Sequence, residues 1–139
     1  MTAAWACPDC KRRFSRENQR HACGTGDLSQ VLRNRPAALL ALYAELEDFL
    51  RTLGDVEVVA RERYVLFRRA RIFADLNVML DSLRLVIHLP GRAEHALFEK
   101  VVSDRRHVSH VVKLHDAREL REMKPFLRAA YRAALTVGR

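Results

Sequence analysis

The spacing of apolar residues changes once along this chain, at Gly54, and this change restricts the fold more than any other feature. Before Gly54, apolar side chains recur every three or four residues, the spacing of one helix face: Leu39, Leu42, Tyr43, Leu46, Phe49, Leu50 and Leu53. Pro36 is tolerated in a first helical turn and Gly54 suits a C-terminal cap, so we expect a helix between them. After Gly54 the apolar period is two, which predicts β-strands.

Five segments carry this alternation, at residues 56–58, 64–68, 72–80, 83–89 and 108–114. The turns between the first four are short, which predicts antiparallel neighbours. Residues 92–103 fit neither period cleanly, and a short helix is one interpretation of their apolar positions, Leu97, Phe98, Val101 and Val102. The sequence therefore predicts a five-stranded antiparallel sheet.

A second helix is expected at the end of the chain, where Asp116 can cap its first turn. Its predicted buried face consists of Leu120, Met123, Leu127, Ala130, Tyr131 and Leu135. Pro125 conflicts with a continuous helix, so either the helix is kinked there or it begins only near Lys124. The fold class predicted from these elements is α+β, with the sheet covered by the N- and C-terminal helices.

Four residues of metal-binding type lie within the first 23 residues: Cys7, Cys10, His21 and Cys23. Cys-x2-Cys lets two thiolates bind one metal from a tight turn, and the later His and Cys complete a tetrahedral Cys3His set. We expect one Zn2+ there, in a structural role, because four protein ligands leave no position for substrate. So short a segment cannot bury enough surface to fold alone, and metal binding would supply its folding energy.

Two alternatives to zinc stay open, a redox pair of Cys7 and Cys10 or incidental thiols. A redox Cys-x2-Cys usually begins a helix within a βαβ unit, and no such unit is predicted here. All three cysteines lie before residue 24, which argues against a secreted disulfide scaffold. Residues 25–35 form a polar connector, so we expect a zinc finger at 1–26 and an α+β domain at 35–139.

The finger sequence W-x-C-P-x-C-x-R-x-F-x3-N-Q-x-H-x-C resembles the leader of bacterial proteins in the family called domain of unknown function 5655. The remainder is similar to that domain at residues 39–53, 69–74, 110–114 and 127–131. The resemblance implies a frataxin-like arrangement of one sheet and two helices behind a zinc-ribbon-like leader. It implies no activity, because the family has no established one.

The formal charge is +8, from 25 basic and 17 acidic side chains, and 21 of the basic residues are Arg. Arg recognises phosphate through its planar fork, although a GC-rich genome would also enrich Arg. Clustered Arg with aromatic residues between them suits phosphate contact and base stacking. The candidate nucleic-acid-binding residues are Arg12, Arg13 and Arg16 on the finger, and Arg68, Arg69 and Arg71 on the sheet. Alternatively, these are solvated side chains, with the aromatic residues Tyr64, Phe67 and Phe73 in the core.

Four histidines could carry chemistry: His88, His107, His110 and His115. By alternation His110 shares a face with Val108 and Val112, and a hydrogen-bonded histidine in the core or at the sheet edge is its expected role. His88 and His107 could meet on the solvent-facing side of the sheet, but no acidic partner lies at a telling spacing. With no phosphate loop and no nucleophile elbow in the sequence, an enzyme is unsupported.

No apolar run approaches the roughly 18 residues of a membrane helix, and the N-terminus does not resemble a signal peptide. We therefore expect a cytoplasmic protein without a membrane partner. The predicted function is a zinc-stabilised module that binds DNA or RNA with weak sequence preference. A protein-interaction or assembly module is the alternative, and an enzyme comes third.

Overall fold

The computed structural model describes residues 5–6, 13–14, 28–61 and 64–135. Two short strands, β1 (Trp5–Ala6) and β2 (Arg13–Phe14), pair antiparallel, with Trp5 opposite Phe14. The remaining elements form one α+β unit with a shared hydrophobic core. Among the described residues, no helix is both long and apolar enough to cross a membrane.

Three helices belong to this unit: α1 (Leu28–Val31), α2 (Ala37–Thr52) and α3 (Ala117–Ala134). The α1 helix lies in the segment predicted as a polar connector, and its Val31 is buried in the core. The α2 helix begins directly after Pro36, as expected, and α3 begins directly after Asp116, the earlier of its two expected starts. Pro36 is the N-cap of α2, and the Asp116 carboxylate accepts a 2.9 Å hydrogen bond from the backbone N–H of Glu119.

Six strands lie between α2 and α3 in the chain: β3 (Glu57–Ala60), β4 (Tyr64–Arg68), β5 (Ile72–Val78), β6 (Leu83–Leu89), β7 (Phe98–Ser103) and β8 (Val108–Leu114). They form one antiparallel sheet in the order β3-β4-β5-β6-β8-β7. The fold class α+β is therefore confirmed, but the prediction of five strands is wrong. The sixth strand is β7, at the edge of the sheet beside β8.

An irregular register explains why the sequence of β7 fits neither apolar period cleanly and allows a short helix as one interpretation. Phe98 pairs with Val112, and a shift at the next residues lets Val101 pair with the buried His110. Because paired residues share a face, Phe98 and Val101 face the core although three positions separate them. Three is a helical spacing, so the bulge gives a strand the apolar period of a helix.

The two faces of the sheet differ. One face packs on the long helices, with α3 lying across β5, β6 and β8 and α2 packed beside α3. The core between them includes Leu46 and Leu50 of α2, Leu76 and Leu85 of the sheet, and Leu127 of α3. The opposite face, called here the open face, carries the alternate residues of the same strands.

The α3 helix continues through Pro125, whose side chain is exposed. Of the two outcomes that the sequence allowed, the later start near Lys124 is wrong. Proline has no N–H, so the Arg121 carbonyl loses its helical donor at that point. Leu120 and Met123 before the proline, and Leu127 after it, are all fully buried. One apolar stripe therefore continues past the missing hydrogen bond at Pro125.

Candidate functional site

The predicted zinc ligands Cys7, Cys10, His21 and Cys23 lie outside the described residues, as do Arg12 and Arg16. Arg13 is described only through its place in β2, opposite Ala6. Within the described part of the chain, no group of three or more His, Cys, Asp or Glu side chains is arranged to hold a metal ion. The zinc site therefore stays a prediction.

The three arginines predicted on the sheet lie together on the tight β4–β5 hairpin, where the Arg69 N–H donates to the Arg71 carbonyl at 3.1 Å. Arg68 Nε is 3.8 Å from a Glu57 oxygen, and an Arg69 nitrogen is 4.0 Å from Asp55. These exposed pairs are weak, but they place carboxylates beside two of the three cations. The hairpin alone is therefore not a strongly cationic surface.

The aromatic residues near these arginines do not form a stacking surface with them. Phe67 and Phe73 are buried, with the Phe73 ring edge-on to Tyr131 at 5.5 Å between ring centroids. Tyr64 is exposed, but it lies at the opposite end of β4 from Arg68. The alternative that placed these phenylalanine rings in the core is the one that the structure supports.

A stronger cationic feature is the outer face of α3, which the sequence analysis missed. Its helical spacing places five basic side chains along one flank of the helix, four of them exposed and Lys124 half-buried beside the apolar stripe: Arg118, Arg121, Lys124, Arg128 and Arg132. None of them forms an ion pair with a described residue. Lys124 and Arg128 lie over the Phe49 ring of α2, at 5.1 and 5.6 Å from its centroid. These five residues are called the α3 basic face below.

The two carboxylates of α3 do not neutralise this face, because each already contacts a histidine. Glu119 Oε1 accepts from the His115 backbone N–H at 2.6 Å and lies 3.0 Å from His115 Nδ1. Glu122 Oε1 is 3.1 Å from His95 Nε2. His115 thus has a local role at the start of α3.

The α3 basic face continues towards the β4–β5 hairpin at the C-terminal end of the helix. The Arg71 guanidinium donates to the Ala133 carbonyl at 3.4 Å, and the Tyr131 hydroxyl donates to the Asp55 carbonyl at 3.3 Å. Beside them lies an open groove of about 460 Å³ that Arg51, Arg68 and Arg69 line together with two acidic residues. The β4–β5 hairpin therefore contacts the C-terminal end of α3 through Arg71.

The histidines fall into two environments. His110 is fully buried on the core face, where its Nε2 accepts from the Ala93 N–H at 2.9 Å and its Nδ1 lies 3.0 Å from the Val108 carbonyl oxygen. Both ring nitrogens are satisfied, so His110 is a core histidine. His88 and His107 lie on the open side, with ring centroids 4.3 Å apart.

The acidic partner that the sequence did not reveal is Asp75, whose Oδ2 is 2.9 Å from His88 Nε2. His88 Nδ1 is 3.1 Å from the hydroxyl of Ser109, its paired residue on β8. Burial lowers the pKa of His107 below its usual value, and the neighbouring His88 lowers it further. Backbone N–H donors from Arg106 and His107 lower the pKa of Asp104, which faces the His107 ring.

Residues 28–134 match the model of a known protein family, described as Domain of unknown function (DUF5655). The chain belongs to this family. The DUF5655 match covers the whole described α+β unit and begins at α1, after the predicted finger. A search of curated proteins and a search of solved structures found no match. The frataxin-like arrangement therefore stays a prediction.

Proposed function

We propose that the protein is a cytoplasmic, bacterial module that binds nucleic acid with weak sequence preference and is extended by an N-terminal zinc finger. The observation that carries this proposal is the α3 basic face, with five cations along one helix and no described ion pair. Aligned cations on a rigid helix suit a phosphate backbone, which carries charge at regular intervals. The hairpin residues Arg68, Arg69 and Arg71 extend this interface, and Arg12, Arg13 and Arg16 are proposed to contact phosphates from the finger.

Weak sequence preference follows from the kind of contacts that are available. Arg and Lys neutralise phosphates and release counterions, which gives affinity without recognising bases. The aromatic rings nearest the hairpin arginines are in the core, so they offer no stacking with bases. Four to six phosphate contacts would lower affinity on the order of 10²- to 10³-fold between 50 and 200 mM salt.

Fluorescence anisotropy with labelled single-stranded DNA, duplex DNA and hairpin RNA tests the proposal across that salt range. Replacing Arg118 and Arg121 with alanine should weaken binding to all probes and flatten the salt slope by about two. The matched control replaces Arg84 and Lys113, which pair across β6 and β8 on the open face. It removes the same charge from the other side of the sheet and should leave affinity nearly unchanged.

Two results would overturn the proposal. No binding of any probe by micromolar protein at 50 mM salt would exclude a nucleic-acid module and leave the protein-interaction module in its place. An equal loss of affinity in the two double variants would show that binding depends on net charge alone and uses no defined interface.

The zinc finger is supported by the ligand spacing and by the β1–β2 pairing. That pairing holds Ala6 opposite Arg13, and Cys7 and Cys10 lie between these two residues in the sequence. We expect one zinc per chain by elemental analysis and loss of zinc in a Cys23→Ser variant. Metal-free protein from a chelator-free preparation, or full retention of zinc after Cys23→Ser, would contradict the site.

A further inference from the structure

Three side chains of the open face form a hydrogen-bonded line across three neighbouring strands. They are Asp75 on β5, His88 on β6 and Ser109 on β8. The Asp75–His88 distance is 2.9 Å and the His88–Ser109 distance is 3.1 Å. Since all three strands are internal to the sheet, the backbone holds this geometry rigidly.

The direction of the hydrogen bonds follows from the chemistry of the groups. An ionised carboxylate can only accept hydrogen bonds, so His88 Nε2 carries a hydrogen and donates it in the hydrogen bond to Asp75. In the neutral imidazole Nδ1 is then an acceptor, and the Ser109 hydroxyl donates to it. Asp75 thus fixes the tautomer that leaves a basic nitrogen against the Ser109 proton.

The surrounding residues partly shield Asp75 and His88 from solvent, while Ser109 stays partly exposed. The His88 side chain is 14% exposed and that of Asp75 is 27% exposed. The His107 ring packs edge-on against His88 and covers it from one side. Ser109 is only half-buried, and its paired residue on the edge strand is the exposed Val102.

We propose that Asp75, His88 and Ser109 form a hydrolytic site in which Ser109 Oγ is the nucleophile for carboxylic esters with a small apolar acyl group. The order of groups is that of a Ser-His-Asp triad with the two ring nitrogens exchanged. Val102 supplies an apolar surface beside Ser109 on which such an acyl group can rest. The proposal uses different residues from nucleic-acid binding, because none of Asp75, His88 and Ser109 belongs to the α3 basic face or to the arginines of the β4–β5 hairpin.

The reaction needs only water as a second reactant. Ser109 Oγ attacks the ester carbonyl carbon while its proton moves to His88 Nδ1. The C–O bond to the alcohol then breaks, and the departing alcohol oxygen takes the proton from His88. Water attacks the acyl-serine with His88 again as base, which releases the acid and returns the proton to Ser109. Asp75 is a positioning residue that stabilises the imidazolium formed in both steps.

Two probes test this site in the full chain, p-nitrophenyl butyrate for turnover and diisopropyl fluorophosphate for covalent labelling. We expect hydrolysis above the buffer rate and one label per chain, mapped to Ser109 by peptide mass spectrometry. Ser109→Ala should lose both signals. The matched control Ser103→Ala changes an exposed serine of β7 and should keep both.

Asp75→Asn separates catalysis from structure. This variant keeps the size of the side chain but favours the wrong tautomer, so kcat should fall at least about tenfold with KM unchanged. Circular dichroism should show the same fold in all three variants. Turnover no faster than buffer, a label on another residue, or full activity in Ser109→Ala or Asp75→Asn would overturn the proposal.

Discussion

The Tyr131 hydroxyl occupies the space into which a side chain at Gly54 would project. Gly54 has φ of +143°, which non-glycine residues rarely adopt, and a Cβ atom there would collide with the Tyr131 oxygen. The same hydroxyl donates to the carbonyl of Asp55. One glycine thus ends α2 and lets α3 approach the turn into β3.

Gly54→Ala should lower the free energy of unfolding by about 1–3 kcal/mol, through backbone strain and this collision. Tyr131→Phe removes the colliding oxygen, so Gly54→Ala should cost less in that background. Urea unfolding of the two single variants and the double variant measures the coupling. An equal cost in both backgrounds would show that only the φ angle matters.

Removing the buried His110 ring should also destabilise the protein. His110→Leu leaves the Ala93 N–H without its acceptor, and an unsatisfied buried group costs about 1–3 kcal/mol. His115→Gln is the control, because His115 is exposed and its replacement should stay within about 0.5 kcal/mol. Thermal and urea unfolding measure the stability of both variants. A His110→Leu variant as stable as the parent protein would contradict the prediction.

Stability should decline as the solution becomes more acidic than the ordinary histidine pKa of about 6.5. The pKa of folded His107 is lowered by burial and then by His88, so the unfolded chain binds a proton at a pH where the folded chain does not. Protonation therefore favours unfolding as pH falls from 6.5 towards the folded pKa. His107→Asn should flatten this part of the stability curve.

NMR titration of the His107 ring provides a direct measurement of the same effect. Its midpoint should lie below 6.5 in the parent protein and rise in His88→Ala, which removes the neighbouring ring and part of the burial. An unchanged midpoint in His88→Ala would show that other groups set the His107 pKa.

Pro125→Ala should stabilise α3, because it restores the hydrogen bond to the Arg121 carbonyl at an exposed position. We expect a gain of about 1–3 kcal/mol and a higher Tm. Pro36→Ala is the matched control at the α2 N-cap, where proline removes no internal helical bond. A loss of stability in Pro125→Ala would show that the packing of α3 requires proline there.

Features set by neighbouring residues were predictable from the sequence. The Asp116 cap, the helix before Gly54 and the strands around residues 64–68 and 83–89 all depend on local spacing, and the structure contains them. The α3 basic face was also within reach. Its basic residues repeat at helical spacing beside the apolar stripe of Leu120, Met123 and Leu127, so the sequence already places them along one flank of α3.

Features set by strand register were not predictable. Asp75 and His88 are 13 residues apart, and only the β5–β6 pairing brings the carboxylate to the ring. The bulge in β7 gave Phe98 and Val101 a helical separation, so a strand was missed. Both errors come from the same cause, because a shift of one residue in register changes which side chains share a face.

The strand order constrains how the chain can fold while it is being synthesised. Strand β6 pairs with β5 on one side, but its other partner, β8, is made only after β7, and α3 comes later still. Until those residues leave the ribosome, β6 presents an unpaired edge, with Leu83, Leu85 and Ile87 lacking their α3 cover. Translation of this last third should therefore be the step at which the nascent protein is most prone to bind chaperones or aggregate.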